Sequence, residues 1–352
     1  MMIIVAALLM AVGYTNAQIV RENEAAVVYY MPKTELVIHI DYEVVTQTPG
    51  VFYQYAERYL GAEEIIMENN TNCQLRAVRV ATESSADTER AYKVTAQKGI
   101  NTQLVSLSED GRLVGYGIEN ASLQFSERSQ GELQNGSKAA YGLEARGEEL
   151  MPLLEEQFMA GSVAKMADGA AKQIYRIRET RLNILAGDVE HVPADGKAME
   201  LVLNELDKQE QALVALFVGK TQVTHHTHAV RYVPEESVEK EVVCRLSAHN
   251  GIVDKNDLSG EPLYLTLVAK KQTLLPAGIA DKNTPLLSQI HYNLPGEAQV
   301  ALTFKGKQMV EQNVAVAQYG VAIPLAQDLF TGKATPTIKI SAETGNILEI
   351  RR

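Results

Sequence analysis

Two groups of residues in this chain have the types and spacing to do chemistry, and the first is a run of histidines. Residues 225–228 are His-His-Thr-His. In a β-strand alternate side chains share a face, so His226 and His228 would lie side by side, as a pair of zinc or copper ligands does. A metal site needs at least a third ligand, and the neighbouring sequence offers none. We therefore expect a polar surface strand with no metal or other cofactor, and His226 and His228 are the metal candidates to check.

The second group is a set of polar residues that alternate along a predicted strand. His39, Asp41 and Glu43 are spaced so that one strand face would present an imidazole and two carboxylates. General acid–base catalysis or a hard metal ion could use that set, so these three residues are the catalytic candidates. The competing interpretation is the solvated face of a strand whose other face is apolar. We expect the solvated face, so changing Asp41 to Asn and Glu43 to Gln should leave folding unaffected.

The familiar catalytic motifs are absent from the sequence. It contains no G-x-S-x-G, H-E-x-x-H, P-loop, G-x-G-x-x-G or C-x-x-C pattern. Their absence does not exclude a hydrolase, because glycosidases need only two carboxylates without fixed spacing. We expect a protein that acts by binding and has no catalysis of its own. The alternative is a carboxylate-dependent hydrolase acting on polysaccharide or peptidoglycan.

The chain has only two cysteines, Cys73 and Cys244. Cys244 alternates with Val242 and Leu246, which places it on the apolar side of a predicted strand. Two explanations stay open: two separate buried thiols, or a disulfide that joins the two halves of the chain.

The composition is that of an ordinary globular protein with an acidic balance. Hydrophobic residues make up 46% of the chain and charged residues 22%, and the net charge is −11. This charge argues against nucleic acid and against anionic lipid surfaces as partners, since both require a basic patch. Because there is no Trp, a cleft that stacks sugars would have to use Tyr.

The first seventeen residues have the pattern of a secretory signal peptide. An apolar core extends from Met1 to Val12, and the small residues Thr15 and Ala17 fit the positions before a signal-peptidase cut. The core is shorter than the ~20 apolar residues that span a bilayer, and no later stretch is long enough. We expect cleavage after Ala17 and a periplasmic or extracellular protein without an integral membrane segment.

The N-terminal region, residues 18–145, has the period of β-strands. The segment Glu35–Val45 alternates between apolar and polar side chains, which indicates a strand with one buried face. A turn at Pro49-Gly50 precedes a short helix that should stop at Gly61. An Asp-Gly pair at 110–111 indicates a hairpin.

The central region, residues 146–220, changes to the helical period of about 3.6 residues. Ser162 can cap a helix that ends at Gly187, and Asp195 can cap another that ends at Gly219. Two long amphipathic helices joined by a short connection should pack as an antiparallel hairpin.

In the C-terminal region, residues 221–352, strand patterns return. β-rich segments are separated by turns, among them 305–307 and 343–346, and suggest sheets packed as a sandwich. Gly320 is placed where two backbones should approach closely. Together the regions predict an α+β protein with an N-terminal β-rich domain, a central helical hairpin and a C-terminal antiparallel β-sandwich-like domain.

Several segments, taken in order, resemble a known family. They are YYMPKTELVIHID (29–41), PGVFYQYAERYLG (49–61), SEDGRLVGYG (108–117), RETRLNILAGDVEHVPADG (178–196), LDKQEQALVALFVGKT (206–221), VAQYGVAIPLAQDLF (316–330) and SAETGNILEI (341–350). They resemble a secreted cell-envelope family of Bacteroidetes that is defined by a domain of unknown function. The resemblance implies an envelope address in a Gram-negative bacterium and no particular reaction, and the His-rich strand is not part of the pattern. The partner we expect is an envelope protein, a peptide or a glycan.

Overall fold

Antiparallel strands form most of the structure, a computed structural model that describes residues 26–96, 100–118, 153, 161–188, 196–271, 289–332 and 334–352. Three α-helices accompany the strands within these ranges, so the predicted α+β class is confirmed. The strands are β1 (Ala26–Thr48), β2 (Asn70–Thr95), β3 (Val105–Leu107), β4 (Leu113–Tyr116), β5 (Lys220–Tyr232), β6 (Val238–Ser247), β7 (Gly251–Val253), β8 (Gly260–Lys271), β9 (His291–Phe304), β10 (Lys307–Pro324), β11 (Thr337–Ile340) and β12 (Ile347–Arg351). The helices are α1 (Ala56–Leu60), α2 (Val163–Ala186) and α3 (Gly196–Val218).

The long strand β1 is the centre of the first sheet, whose order is β2-β1-β5. The alternation predicted for it is present, because Leu36, Ile38 and Ile40 are buried on one face. β2 pairs with β1 along nearly its whole length, and β5 pairs with the other side of β1 without a register shift. The sheet therefore joins strands from the predicted N-terminal and C-terminal regions.

A second sheet, in the order β10-β9-β8-β6-β7, packs against the first. One buried cluster contains Ile38 of β1, Leu265 of β8 and Val300 of β9, so both sheets contribute to the same core. The second sheet is antiparallel throughout, and its strands come from the C-terminal region alone. The alternation of side chains along a strand could not reveal that this sheet packs against the first one, because periodicity says nothing about contacts between distant strands.

A third sheet, in the order β12-β11-β4-β3, also combines the two ends of the chain. Its core contains Leu113 and Ile338 together with Tyr29 from the beginning of β1. The predicted hairpin at the Asp-Gly pair is present as β3 and β4. The domain boundaries at 145 and 220 stay a prediction, and the first and third sheets cross them.

One helix start and three helix ends lie at the residues that the sequence predicts for them. The Ser162 side chain accepts a hydrogen bond from the backbone N–H of Lys165 at 3.4 Å, and Gly187 ends α2 with a φ of 80°. Gly219 follows α3 with a φ of 93°, and Gly61 ends α1. Asp195, the predicted cap of α3, lies outside the described residues, as do residues 1–17.

Two glycines mark close contacts between elements. A Cβ on Gly50 would lie 2.3 Å from the Leu216 carbonyl oxygen, so the turn before α1 can lie against α3 only with Gly at that position. A Cβ on Gly320 would lie 2.2 Å from the Leu294 carbonyl oxygen, which confirms the predicted close approach of two backbones. The first contact holds α1 and α3 on a common core that includes Phe52.

Candidate functional site

The strand face that holds His39, Asp41 and Glu43 is the outer face of the first sheet. The three residues share this face, as predicted, because β1 keeps its alternation across 39–43. In the register with β5, Asp41 lies opposite Thr227 and Glu43 lies opposite His225. The chemistry of the face therefore depends on what β2 and β5 place beside the two carboxylates.

Asp41 is held by three hydrogen bonds from neighbouring strands. Arg79 donates from Nε and Nη2 to the two carboxylate oxygens, each at 3.1 Å, and the Thr227 hydroxyl donates at 2.7 Å. Partial burial raises the pKa of Asp41, but the hydrogen bonds from Thr227 and Arg79 outweigh it and hold the pKa below its usual value. A carboxylate paired in this way stays ionised, whereas a general acid needs a raised pKa.

Glu43 is buried, with only 4% of its surface exposed, so the expectation of a fully solvated face is wrong at this position. A bulge in β2 explains the difference. Asp41 pairs with Ala77 and Tyr42 pairs with Leu75, which leaves Arg76 as the extra residue. Its guanidinium forms an ion pair with Glu43.

The arginines of β2 and β5 are the residues that pattern analysis missed on this face. Arg231 of β5 pairs with Glu35 at 3.3 Å and with Glu83 at 2.6 Å, which continues the network of Arg76 and Arg79 along the sheet. The sequence could have placed two of these arginines on a strand, since Arg76 and Arg79 lie in a β-rich segment. Assigning them to Glu43 and Asp41 requires the strand register, which only the structure supplies.

The two candidate metal ligands lie on the opposite face of the sheet from His39. His226 stacks on Tyr42, with ring centroids 5.4 Å apart, and its Nε2 is 3.1 Å from the Thr224 hydroxyl. His228 lies opposite Ile40 in the register. Across the part of the chain that the structure describes, no group of three or more His, Cys, Asp or Glu side chains is arranged to hold a metal ion. No described residue therefore supplies the third ligand that a metal site at His226 and His228 would need.

The two cysteines are free and buried. Cys244 belongs to the core between the first two sheets, and burial raises the pKa of its thiol to about 11. A thiol with a raised pKa is a poor nucleophile. Of the two explanations offered by the sequence, the structure contains separate thiols.

No described strand pairs with the outer edge of β5. Among the described strands, β5 has β1 as its one neighbour, and most of its residues between Lys220 and Tyr232 are exposed. The backbone N–H and C=O groups on that edge point away from β1. They form a template to which another extended chain can add.

A cleft of about 970 Å³ opens beside β2, the strand at the opposite edge of the first sheet from β5. It lies between the start of β2, the strands β6 and β8, and the turn from β9 to β10. Four of its lining residues are basic, namely Arg76, Arg245, Lys305 and Lys307, and Glu261 is the one acidic residue among those that the structure places there. The described lining of this cleft thus contains one carboxylate, whereas a glycosidase uses two.

None of the described helices combines the length and the apolar composition that a membrane-crossing helix needs.

A search of curated proteins finds no match to this chain. A search of solved structures finds none either. A comparison with protein families matches residues 25–348 to a domain of unknown function, DUF4831. The match covers nearly the whole chain, so the chain belongs to this family, and the expectation of a family defined by a domain of unknown function is confirmed.

Proposed function

We propose that this protein is exported to the cell envelope and acts by binding, with an extended segment of another protein added as a strand to the open edge of β5. The observation that carries the proposal is that edge. Strand addition obtains its affinity from backbone hydrogen bonds, and a long regular edge is what it requires. The export step is supported by the signal-peptide pattern of residues 1–17, and the envelope location by the resemblance to a secreted family.

The β5 strand itself contains none of three features that block strand pairing at an edge. Edges are usually blocked by proline, by lysine within the strand or by a bulge. Between Lys220 and Arg231 there is no proline and no Asp, Glu, Lys or Arg, and the pairing with β1 has no register shift. An unblocked edge of this length is a hazard unless a partner occupies it.

The net charge of the protein favours a different chain over a second copy of this one. Arg231 of β5 is already paired with Glu35 and Glu83, so the edge itself brings little free charge to a partner. Two copies of a chain whose net charge is −11 repel each other as whole molecules. A strand from a less acidic protein would meet less repulsion.

The same geometry gives less support to the alternative of a carboxylate-dependent hydrolase. Of the three catalytic candidates, Asp41 and Glu43 are each paired with an arginine, on a strand face outside the large cleft. General acid–base catalysis needs one group with a raised pKa beside an ionised one. The hydrogen bonds from Thr227 and Arg79 hold the pKa of Asp41 below its usual value, which is the opposite of what a general acid needs.

The edge is tested by photo-crosslinking in cells with a crosslinking amino acid at position 225, whose native histidine is exposed on β5. We expect a discrete adduct with another protein. The double change Val223→Lys and Ala229→Lys places lysines on the edge and should reduce the adduct at least about fivefold. Leu348→Lys, on the exposed edge strand β12, is the matched control and should leave the adduct unchanged.

Circular dichroism of the purified variants shows whether their folds are intact. Folded protein without an adduct, or an adduct only with a second copy of this chain, contradicts the proposal. Intact-mass measurement of the protein recovered from the envelope tests export, since the loss of residues 1–17 is expected and a retained Met1 contradicts it.

A further inference from the structure

The cleft of about 970 Å³ has a local charge opposite to that of the whole protein. Arg245, Lys305 and Lys307 surround it, whereas the chain has a net charge of −11. No carboxylate within the described ranges forms an ion pair with Lys305 or Lys307. Their positive charges are therefore available to a ligand.

Arg245 is positioned by hydrogen bonds, and no carboxylate in the described part of the chain forms a salt bridge with it. Its guanidinium donates to the backbone oxygen of Lys255 at 2.9 Å and to that of Gly260 at 3.0 Å. Both acceptors are neutral carbonyls, so the side chain is fixed while it keeps its full charge. The nearby acidic residues are Glu261 in the lining and Asp257. The pKa of Asp257 is lowered by hydrogen bonds that Ser259 donates to its carboxylate and by the charge of Arg245.

Lys305, which lines the cleft, has a backbone conformation that lysine seldom adopts. It has a φ of 48° and is followed by Gly306 with a φ of 75°, which together form the two-residue turn from β9 to β10. A turn with two positive φ angles favours Asn at its first position, and lysine adopts that conformation reluctantly. Departures from local preference concentrate at functional positions. A role in the cleft therefore explains the presence of lysine at position 305 better than the needs of the turn do.

The apolar lining restricts the class of ligand. Leu258 is 82% exposed beside the cleft, and Met309 and Phe304 also line it. Phe304 is the single aromatic residue that the structure places in the lining, and the Lys305 ammonium lies 5.7 Å from its ring centroid. Sugars stack on open aromatic faces, whereas this cleft offers cations interspersed with aliphatic surface.

We propose that this cleft binds an acidic peptide segment, whose carboxylates pair with Arg245, Lys305 and Lys307 and whose apolar side chains cover Leu258 and Met309. The site is separate from the β5 edge, because β2 and β5 lie on opposite edges of the first sheet. Guanidinium groups and carboxylates match in geometry as well as in charge, which favours such a ligand at Arg245.

The probe is a fluorescein-labelled peptide of about ten residues in which Glu and Leu alternate, and its neutral match replaces Glu by Gln. Fluorescence anisotropy with the full chain should detect binding of the Glu peptide and not of the Gln peptide. Lys305→Gln with Lys307→Gln should weaken binding by about fivefold to thirtyfold. Lys165→Gln with Lys197→Gln removes the same charge from exposed helix positions and should leave the affinity unchanged.

Three results would overturn the proposal. The first is equal affinity for the two peptides. The second is the same loss of affinity in the two lysine variants, which would mean that net charge alone attracts the probe. The third is lysine-dependent binding of an anionic glycan, such as heparin, without binding of the Glu peptide. The Val223→Lys, Ala229→Lys variant should bind the Glu peptide normally, so failure of the β5 edge and failure of the cleft are distinguished.

Discussion

At the residue scale, two carboxylates on one strand face differ in what surrounds them. Glu43 is buried and paired with Arg76, whereas Asp41 is partly exposed and paired with Arg79. Glu43→Gln should lower the free energy of unfolding by about 1–3 kcal/mol, because it removes the charged acceptor of the hydrogen bond that Arg76 donates to the buried Glu43 carboxylate. Asp41→Asn should lower it by less than about 1 kcal/mol. Urea denaturation measures both changes, and equal effects would contradict the burial argument.

His291 makes the stability of the fold depend on pH. The side chain is 2% exposed, its Nδ1 is 2.9 Å from the Gln289 carbonyl oxygen, and its ring lies 4.9 Å from that of Tyr92. Burial lowers the pKa of His291, and the hydrogen bond to Gln289 opposes this only in part. The unfolded chain therefore takes up a proton before the folded chain does, and stability falls as the pH drops below about 6.5.

The expected slope from this one residue is at most about 1.4 kcal/mol per pH unit. His291→Gln should reduce the dependence of the unfolding free energy on pH between about pH 6.5 and the lower pKa of the folded state. Urea denaturation across that range measures it. Parallel curves for the variant and the wild type would show that His291 does not contribute.

At the scale of elements, the turn from β9 to β10 links stability to binding. Lys305→Asn should raise the free energy of unfolding by about 0.5–1 kcal/mol, because Asn tolerates a positive φ better than Lys. The same change should weaken binding of the Glu peptide to the cleft. Lys307→Asn is the matched control: it removes the same charge at a strand position and should not stabilise. A destabilised Lys305→Asn variant would contradict the assignment of the turn.

Local signals predicted most elements but few of their partners. Ser162, Gly187 and Gly219 mark helix ends through capping chemistry, which depends on neighbouring residues alone. The pairing of β1 with β5 was not predicted, because alternation defines a buried face and not the strand beside it. The same limit applies to the candidate site. The sequence places His39, Asp41 and Glu43 on one face correctly. The two arginines that bind the carboxylates lie on β2, and only the register of β1 with β2 shows which carboxylate each one meets.

At the scale of the whole molecule, the first sheet connects regions that the sequence suggests are separate. A fragment of residues 221–352 would lose β1 as the neighbour of β5, and its core would lose Leu36, Ile38 and Ile40. We expect that fragment to unfold without a cooperative transition, in contrast to the full chain. Circular dichroism with urea provides the comparison. A cooperative transition in the fragment would instead show an independent C-terminal domain.

The position of β1 also has a consequence for how the protein is made. Ribosomes add about 5–20 residues per second, so on the order of 10 s pass between completion of β2 and the arrival of β5. During that interval the nascent hairpin displays a free edge along residues 36–48, together with its apolar face. Unfinished chains on neighbouring ribosomes can pair through that edge. Slower growth at low temperature with a holding chaperone should therefore raise the recombinant yield, even though neither changes the stability of the finished protein.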